Sequence, residues 1–133
     1  MVRIKCRYIA FELIDPAHID EENYSVAIRT PEHRYTSQAI ASAIRESVHE
    51  HFGDYGAALV NSFFNLKYYS PTTGIGILRI GRDQLRIAQA ALTYMNELDS
   101  RPTLINCFHV SGTIKHAQMA VHRRSSELVR KCR

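Results

Sequence analysis

The stretch that decides the fold is Ala57 to Gly81, AALVNSFFNLKYYSPTTGIGILRIG. Val60, Ser62, Phe64, Leu66 and Tyr68 fall on one side at period two, and Leu59, Asn61, Phe63, Asn65, Lys67 and Tyr69 on the other, which is the alternation of a strand. Ser70-Pro-Thr-Thr-Gly74 interrupts the run. Pro71 presets φ and Gly74 accepts a conformation that other residues resist, so the segment reads as a turn. The return strand, Ile75 to Ile80, carries a single charge, Arg79. A hairpin this apolar cannot stand alone in water and requires helices against it.

The flanking sequence supplies them. Thr36 or Ser37 caps a helix that runs to about Phe52 and is ended by Gly53, because a Ser or Thr before an apolar stripe and a Gly after it are start and stop signals. Ile40, Ile44, Val48 and Phe52 recur every four residues, with Ala39 and Ala43 widening the stripe. After the hairpin, Asp83 caps a second helix reaching about Leu98, with Leu85, Ala88, Ala91, Leu92 and Met95 as its stripe; Pro102 cannot continue it. Leu104 to Val110 reads as a strand, Ser111-Gly112-Thr113 as a hinge with Thr113 as cap, and the remainder as a third, basic helix. Ile114, Ala117, Val121 and Leu128 mark the buried side of that helix.

At the front, Val2 to Leu13 forms the first strand. Arg3, Lys5 and Arg7 share one face with Ile9, Phe11 and Leu13, while Ile4, Cys6, Tyr8 and Ala10 line the other. A strand apolar on both faces is covered on both sides. The order is therefore β-α-β-β-α-β plus a basic C-terminal helix. This is an α+β, ferredoxin-like or RRM-like antiparallel sheet, for which right-handed crossovers predict strand order 4-1-3-2. Leu59, Phe63, Ile75 and Ile77 are too apolar for open solvent, so the third helix is expected to fold back over the second sheet face. Residues 1–133 form one domain. Residues 15–35, punctuated by Pro16 and Pro31 and rich in acids, read as an insertion or an acidic loop, or hold a short helix after Pro16.

The net charge of +4 hides an asymmetry. Residues 1–11 carry +3, residues 12–32 carry −5, residues 33–114 carry +1 and residues 115–133 carry +5. One reading is ordinary solvated charge; the other is a polyanion-facing pole built from both ends of the chain. Arg3, Lys5 and Arg7 repel one another on a strand face unless something answers them. The answer is either the acidic stretch at 20–22 or a phosphate backbone, whose binding is driven by counterion release. Tyr8, Tyr68 and Tyr69 are candidates for stacking on bases, although Tyr in a strand is more commonly core.

The remaining motifs carry little chemistry. Three widely spaced cysteines, Cys6, Cys107 and Cys132, form neither a disulfide framework nor a zinc pattern. Cys107 and His109 lie on one strand face without further ligands, and His49 and His51 point apart on a helix. Gly74-Ile-Gly76 starts like a dinucleotide fingerprint, but Arg79 stands at the sixth position and a strand follows where a helix is required. No run is long and apolar enough for a membrane span. The opening Met-Val-Arg-Ile-Lys-Cys-Arg is unlike a signal or transit peptide, so an intracellular protein is expected.

Five short pieces in order point to a family. MVRIKCRY at 1–8, FGDYG at 52–56, KYYS at 67–70, Thr73-Gly74 and HVSGTIK at 109–115 resemble the small protein subunit of ribonuclease P and ribonuclease MRP. The likeness covers nearly the whole chain apart from residues 15–35. It implies an RRM-like, non-catalytic RNA-binding subunit of a particle that removes the 5′ leader from precursor tRNA and acts in pre-rRNA processing. It further implies that the RNA is the catalyst and holds the Mg²⁺, and that the protein binds no cofactor or metal itself and has no catalytic residues of its own. The implied partners are that catalytic RNA and a larger barrel-shaped protein subunit, with precursor tRNA nearby and no membrane; the implied address is the nucleus and nucleolus. By matching motif, RNA contact is carried onto Arg3, Lys5, Arg7 and Lys115, onto the basic pair Arg123 and Arg124, and onto Tyr69, Ser70 and Thr73 with Gly74 at the turn. The usual aromatic signature of RNA-binding sheets is replaced on the third strand by Gly76, Leu78 and Ile80, which favours backbone and shape recognition. The competing reading is a small ferredoxin-like enzyme or ligand-binding domain, which needs clustered titratable groups in a pocket.

Overall fold

The structure, a computed structural model, is described for residues 5–14, 16, 19–20, 25–26, 35–98 and 101–131, with residues 19–20, 25–26 and 128–131 described as backbone alone. Its centre is β1 (Cys6–Ile14), which pairs antiparallel on one side with β5 (Ile75–Gly81) and on the other with β8 (Leu104–Ser111). β4 (Asn65–Tyr69) pairs antiparallel with β5 and forms one edge, so the sheet runs β4-β5-β1-β8. With the four strands counted in chain order this is 4-1-3-2, the order expected for the split βαβ arrangement.

Each sheet face has its own core. Toward one face pack Ile9, Phe11, Leu78 and Ile80, joined by Ile40, Ile44 and Val48 of α1 (Ser37–Asn61) and Ala88, Ala91 and Leu92 of α2 (Leu85–Tyr94). On the other face Ala10, Ile75 and Ile77 meet Ala117 and Val121 of α3 (Ile114–Lys131), with Tyr8, Phe108 and Ile114 at the margin. β1 is thus covered on both sides, and the third helix does fold back over the sheet. Thr36 caps α1, its Oγ1 accepting the Ala39 N–H at 3.2 Å. Thr113 caps α3, its Oγ1 accepting the His116 N–H at 3.4 Å. Each satisfies one of the donors that a helix start leaves open.

The decisive stretch differs from its reading in one half. Gly53 ends the first helical run as expected, at φ 71, ψ −170, but a second run starts directly after this kink and carries α1 on to Asn61. Residues 57–61 are therefore helical, Val60 is buried on the helix, and the first hairpin strand is only Asn65–Tyr69. Short apolar runs fit both periods, and Ala57-Ala58-Leu59 are strong helix formers, which decides this one. Of the four residues expected on the second face, Ile75 and Ile77 lie there; Leu59 is on the helix and Phe63 in the loop after it. The Ser70–Gly74 turn is as expected, with Gly74 at φ 73 and its N–H donating to Ser70 O at 2.8 Å.

Two register shifts change which side chains share a face. Leu66 pairs with Leu78 but Tyr68 with Ile77, so Lys67 is an extra residue on β4. Phe11 pairs with Cys107 but Ala10 with His109, so Phe108 is an extra residue on β8. This bulge separates Cys107 from His109: Cys107 joins the α1/α2 core, while His109 lies opposite Ala10 of the α3 core, not on one face with Cys107 as the alternation suggests.

The second helix is shorter than its stripe implies. Asp83 sits in a 3-10 turn at Arg82–Gln84 and caps nothing, and α2 ends at Tyr94. Met95 leaves the helix in an extended conformation and buries its side chain, and two-residue strands β6 (Glu97–Leu98) and β7 (Arg101–Pro102) then pair. Within 15–35, β2 (Ile19–Asp20) pairs antiparallel with β3 (Ser25–Val26). The other expectations for that stretch, and Arg3, lie outside the described residues.

Candidate nucleic-acid interface

Lys5 and Arg7 enter the sheet at one end, where β5 and β8 finish. The Lys5 carbonyl accepts the Arg82 N–H at 2.9 Å, which ties the start of β1 to the exit of β5. The Arg7 guanidinium donates from Nη1 to Cys6 O at 2.9 Å and runs beside the hinge, since a Cβ on Gly112 would lie 3.6 Å from that nitrogen. The first turn of α3 stands at the same end, with Lys115 exposed on it. The Ser111 hydroxyl donates to Thr113 O at 2.8 Å, and the Thr113 hydroxyl is also bonded to His116 Nδ1 at 2.9 Å, so the hinge is held by its own side chains. Cations at a helix N-terminus oppose the macrodipole. Arg7, Lys115 and the open N–H groups of α3 thus concentrate positive potential in one place, which suits a phosphate. Among the described residues, neither Lys5, Arg7, Lys115 nor Arg123 forms an ion pair with a carboxylate.

Arg124 is different. Its Nε donates to Glu12 Oε2 at 3.1 Å and its Nη2 to Glu12 Oε1 at 2.8 Å, while Asn106 Nδ2 donates to the same Oε1 at 3.0 Å. Its Nη1 lies 3.5 Å from Glu127 Oε2, and the guanidinium sits over the Phe108 ring at 5.9 Å. The hydrogen bond to Glu12 raises the Arg124 pKa above its ordinary value. Every nitrogen of this guanidinium is thus engaged within the chain, and Glu12 is 6 % exposed. Arg124 staples α3 to the sheet, whereas its neighbour Arg123 is open to solvent.

The turn residues gather at the opposite end of the hairpin from Lys5. Tyr69 faces the α1/α2 core, where burial, with Tyr35 adding to it, pushes its hydroxyl up to about 12. The Ser70 N–H donates to Ile75 O at 3.0 Å, and Thr73 Oγ1 accepts the Ile75 N–H at 3.4 Å. The Leu13 N–H donates to Gly74 O at 2.9 Å, anchoring the turn on β1. The structure therefore places Lys5, Arg7 and the first turn of α3, which carries Lys115, at one end of the sheet, sets Tyr69, Ser70 and Thr73 at the other, and leaves Arg123 on the exposed side of α3.

Sequence reasoning missed a third feature, a groove between α3 and the β4 edge. Lys67, Tyr68, Ile77, Gln118, Val121 and His122 line it. The bulge that presents Lys67 there has no signature in the residues around it. The third-strand residues that replace the usual aromatics, Gly76, Leu78 and Ile80, face the α1/α2 core, where a Cβ on Gly76 would meet the Phe11 ring at 2.6 Å. The opposite face of β5 offers Ile75, Ile77 and Arg79. A second groove lies between α1 and the end of α2, lined by Glu46, Glu50, Tyr94 and Glu97, and is acidic. Among the described residues, no three His, Cys, Asp or Glu side chains are placed to hold a metal ion together.

Comparison with known proteins agrees with this architecture. The Rpp14/Pop5 family model matches residues 7–122. A ribonuclease P/MRP protein subunit POP5 from Schizosaccharomyces pombe is 40% identical over 129 residues, 96% of this chain and 91% of the relative. The protein of the same name from Saccharomyces cerevisiae is 36% identical, over 97% of this chain and 80% of its own. An archaeal relative, ribonuclease P protein component 2 of Methanocaldococcus jannaschii, is 33% identical over 89% of this chain and 73% of its own. A chain in the cryo-EM structure of yeast ribonuclease MRP shares the fold, with TM-score 0.57 at 8% identity, over 99% of this chain and 97% of that one. The chain belongs to the Rpp14/Pop5 family, among relatives that are protein subunits of ribonuclease P/MRP.

Proposed function

We propose that the chain is a non-catalytic, RNA-binding protein subunit of ribonuclease P and of ribonuclease MRP, acting in 5′-leader removal from precursor tRNA and in pre-rRNA processing in the nucleus and nucleolus. The observation that carries this reading is the match, over 96% and 97% of this chain, to subunits of those particles. The pole of Lys5, Arg7 and Lys115 beside the α3 N-terminus supports it, because cations that form no ion pair among the described residues suit a phosphate backbone. The same pole repels a divalent cation, so the Mg²⁺ of the reaction belongs to the RNA. The protein's part is to hold phosphates of the catalytic RNA in register near that metal, with Arg3 and Arg123 extending the basic surface. The acidic α1/α2 groove repels RNA and faces the protein side of the particle, where the larger barrel-shaped subunit docks; precursor tRNA passes nearby.

Replacing Lys5, Arg7 and Lys115 together by Ala in the reconstituted particle tests this. Lys5 and Lys115 are exposed, and the half-buried Arg7 makes only a local hydrogen bond to Cys6 O, so the fold is expected to persist. RNA affinity should fall, the slope of log affinity against log salt should flatten by about two to three, close to one per lost phosphate contact, and cleavage should require more Mg²⁺. An unchanged slope together with an unchanged Mg²⁺ requirement would remove the pole from the RNA interface.

A further inference from the structure

The third helix covers its face of the sheet incompletely. Its apolar contacts run along β1, β8 and β5, and the β4 edge stays outside them. The gap is a groove of about 530 Å³, a volume typical of sites that take one small molecule. Its floor is apolar, with Ile77 and Val121 buried beneath it. Tyr68 forms one wall and is 45% exposed. Gln118 and His122, one turn apart on α3, form the opposite wall, and the bulged Lys67 stands at the rim. Among the described residues, no carboxylate lines this groove. Arg79, two residues beyond Ile77 on the same face of β5, has its Nε buried without a hydrogen-bond partner among the described residues.

We propose that this groove seats a single unpaired nucleotide of the bound RNA, with its base against Tyr68 and its phosphate toward Lys67. The proposal rests on the RNA-binding reading and adds to it a subsite for single strand, distinct from the basic pole. An aromatic face above an apolar floor accepts any unstacked base, and the flanking cation follows the backbone. The Gln118 amide and the His122 ring offer both donor and acceptor to a base edge. A base inside a duplex has both faces stacked and cannot enter, so the groove selects unpaired RNA. A cationic rim, with no acid among the described lining residues, distinguishes this occupant from a basic protein segment.

The test is photo-crosslinking of particles assembled with full-length chain and RNA carrying 4-thiouridine, followed by mapping of the linked peptides. Links in residues 65–69 or 118–125 are expected. Links at Lys5, Arg7 or Lys115 with none in the groove would overturn the subsite and leave the RNA reading standing. An absence of links anywhere on the chain, with links on neighbouring subunits, would overturn both. A protein peptide linked to Lys67 by an amine-reactive crosslinker, without RNA links, would assign the groove to a protein. As an independent readout, Tyr68→Ala should weaken binding of a single-stranded uridine oligonucleotide about tenfold without changing the salt slope, while Tyr68→Phe keeps near-normal affinity. Equal loss for a duplex RNA probe, or equal loss in both variants, would overturn the proposal.

Discussion

The two faces of the sheet are built by different means. The α1/α2 face is closed by volume: Ile9, Phe11, Leu78 and Ile80 meet two helices whose stripes are buried along their length. The α3 face is closed by a narrow apolar strip and one buried carboxylate that receives Arg124 and Asn106. A core that fills by volume leaves no room for a ligand. A helix held by a strip and a staple leaves an edge of the sheet uncovered, and on this molecule that edge is where the groove proposed for RNA lies.

The comparison can be broken most strongly at Phe11, which is fully buried. Phe11→Ala empties the space over Gly76 and should cost about 3–5 kcal/mol in denaturant unfolding. A loss near 1 kcal/mol would mean that the face is not sealed by packing. Next in size is Arg124→Met, which strands the Glu12 carboxylate with Asn106 alone. The expected cost is about 2–3 kcal/mol, below the full value for breaking a buried pair because the Arg124 side chain is itself 29% exposed. Hydrogen exchange should then accelerate in α3 well before α1 and α2; uniform acceleration would erase the distinction between the faces.

Gly53→Ala probes the bend within α1. A side chain at φ 71, ψ −170 is strained although nothing lies within 4 Å of it, so about 1–2 kcal/mol is expected from thermal unfolding. A neutral result would show the bend relaxing into continuous helix. The smallest effect appears only in base and belongs to the packed face alone. Burial pushes Cys107 up from 9.0 to about 11, and burial together with Tyr35 pushes Tyr69 from 10.0 to about 12. Both groups stay protonated in the folded chain after their unfolded counterparts ionise. Their contribution is complete below pH 9.0 and is lost as pH rises from there to about 12. Cys107→Ala with Tyr69→Phe should flatten the alkaline decline, measured as midpoint against pH; an unchanged slope would assign the decline to other groups.

Much of this architecture is legible in the residues because local signals and global need agree. Thr36 and Thr113 announce their helices, Pro71 and Gly74 their turn, and the two apolar faces of β1 announce cover on both sides. The failures share a cause as well. Gly53 is the stop it reads as, but the apolar helix formers that follow it start a second helical run where strand alternation was read. The extra residues Lys67 and Phe108 break an alternation that looks unbroken in one dimension, and pairing with a neighbouring strand decides where a bulge falls. Arg124 reads as a free cation because its partner, Glu12, is 112 residues away. The groove beside Tyr68 depends on where α3 comes to rest, which no local period encodes.

The bulge at Lys67 has a consequence for the outer rim of the sheet. β4 is an edge strand of five residues, and its outer side has no strand partner among the described residues, so it offers backbone groups to any extended chain that reaches it. A kink and a lysine at the centre of so short an edge spoil the register that another strand would need. Sheet extension and runaway strand addition are thereby blocked, and the neighbours this edge accepts must engage it through side chains.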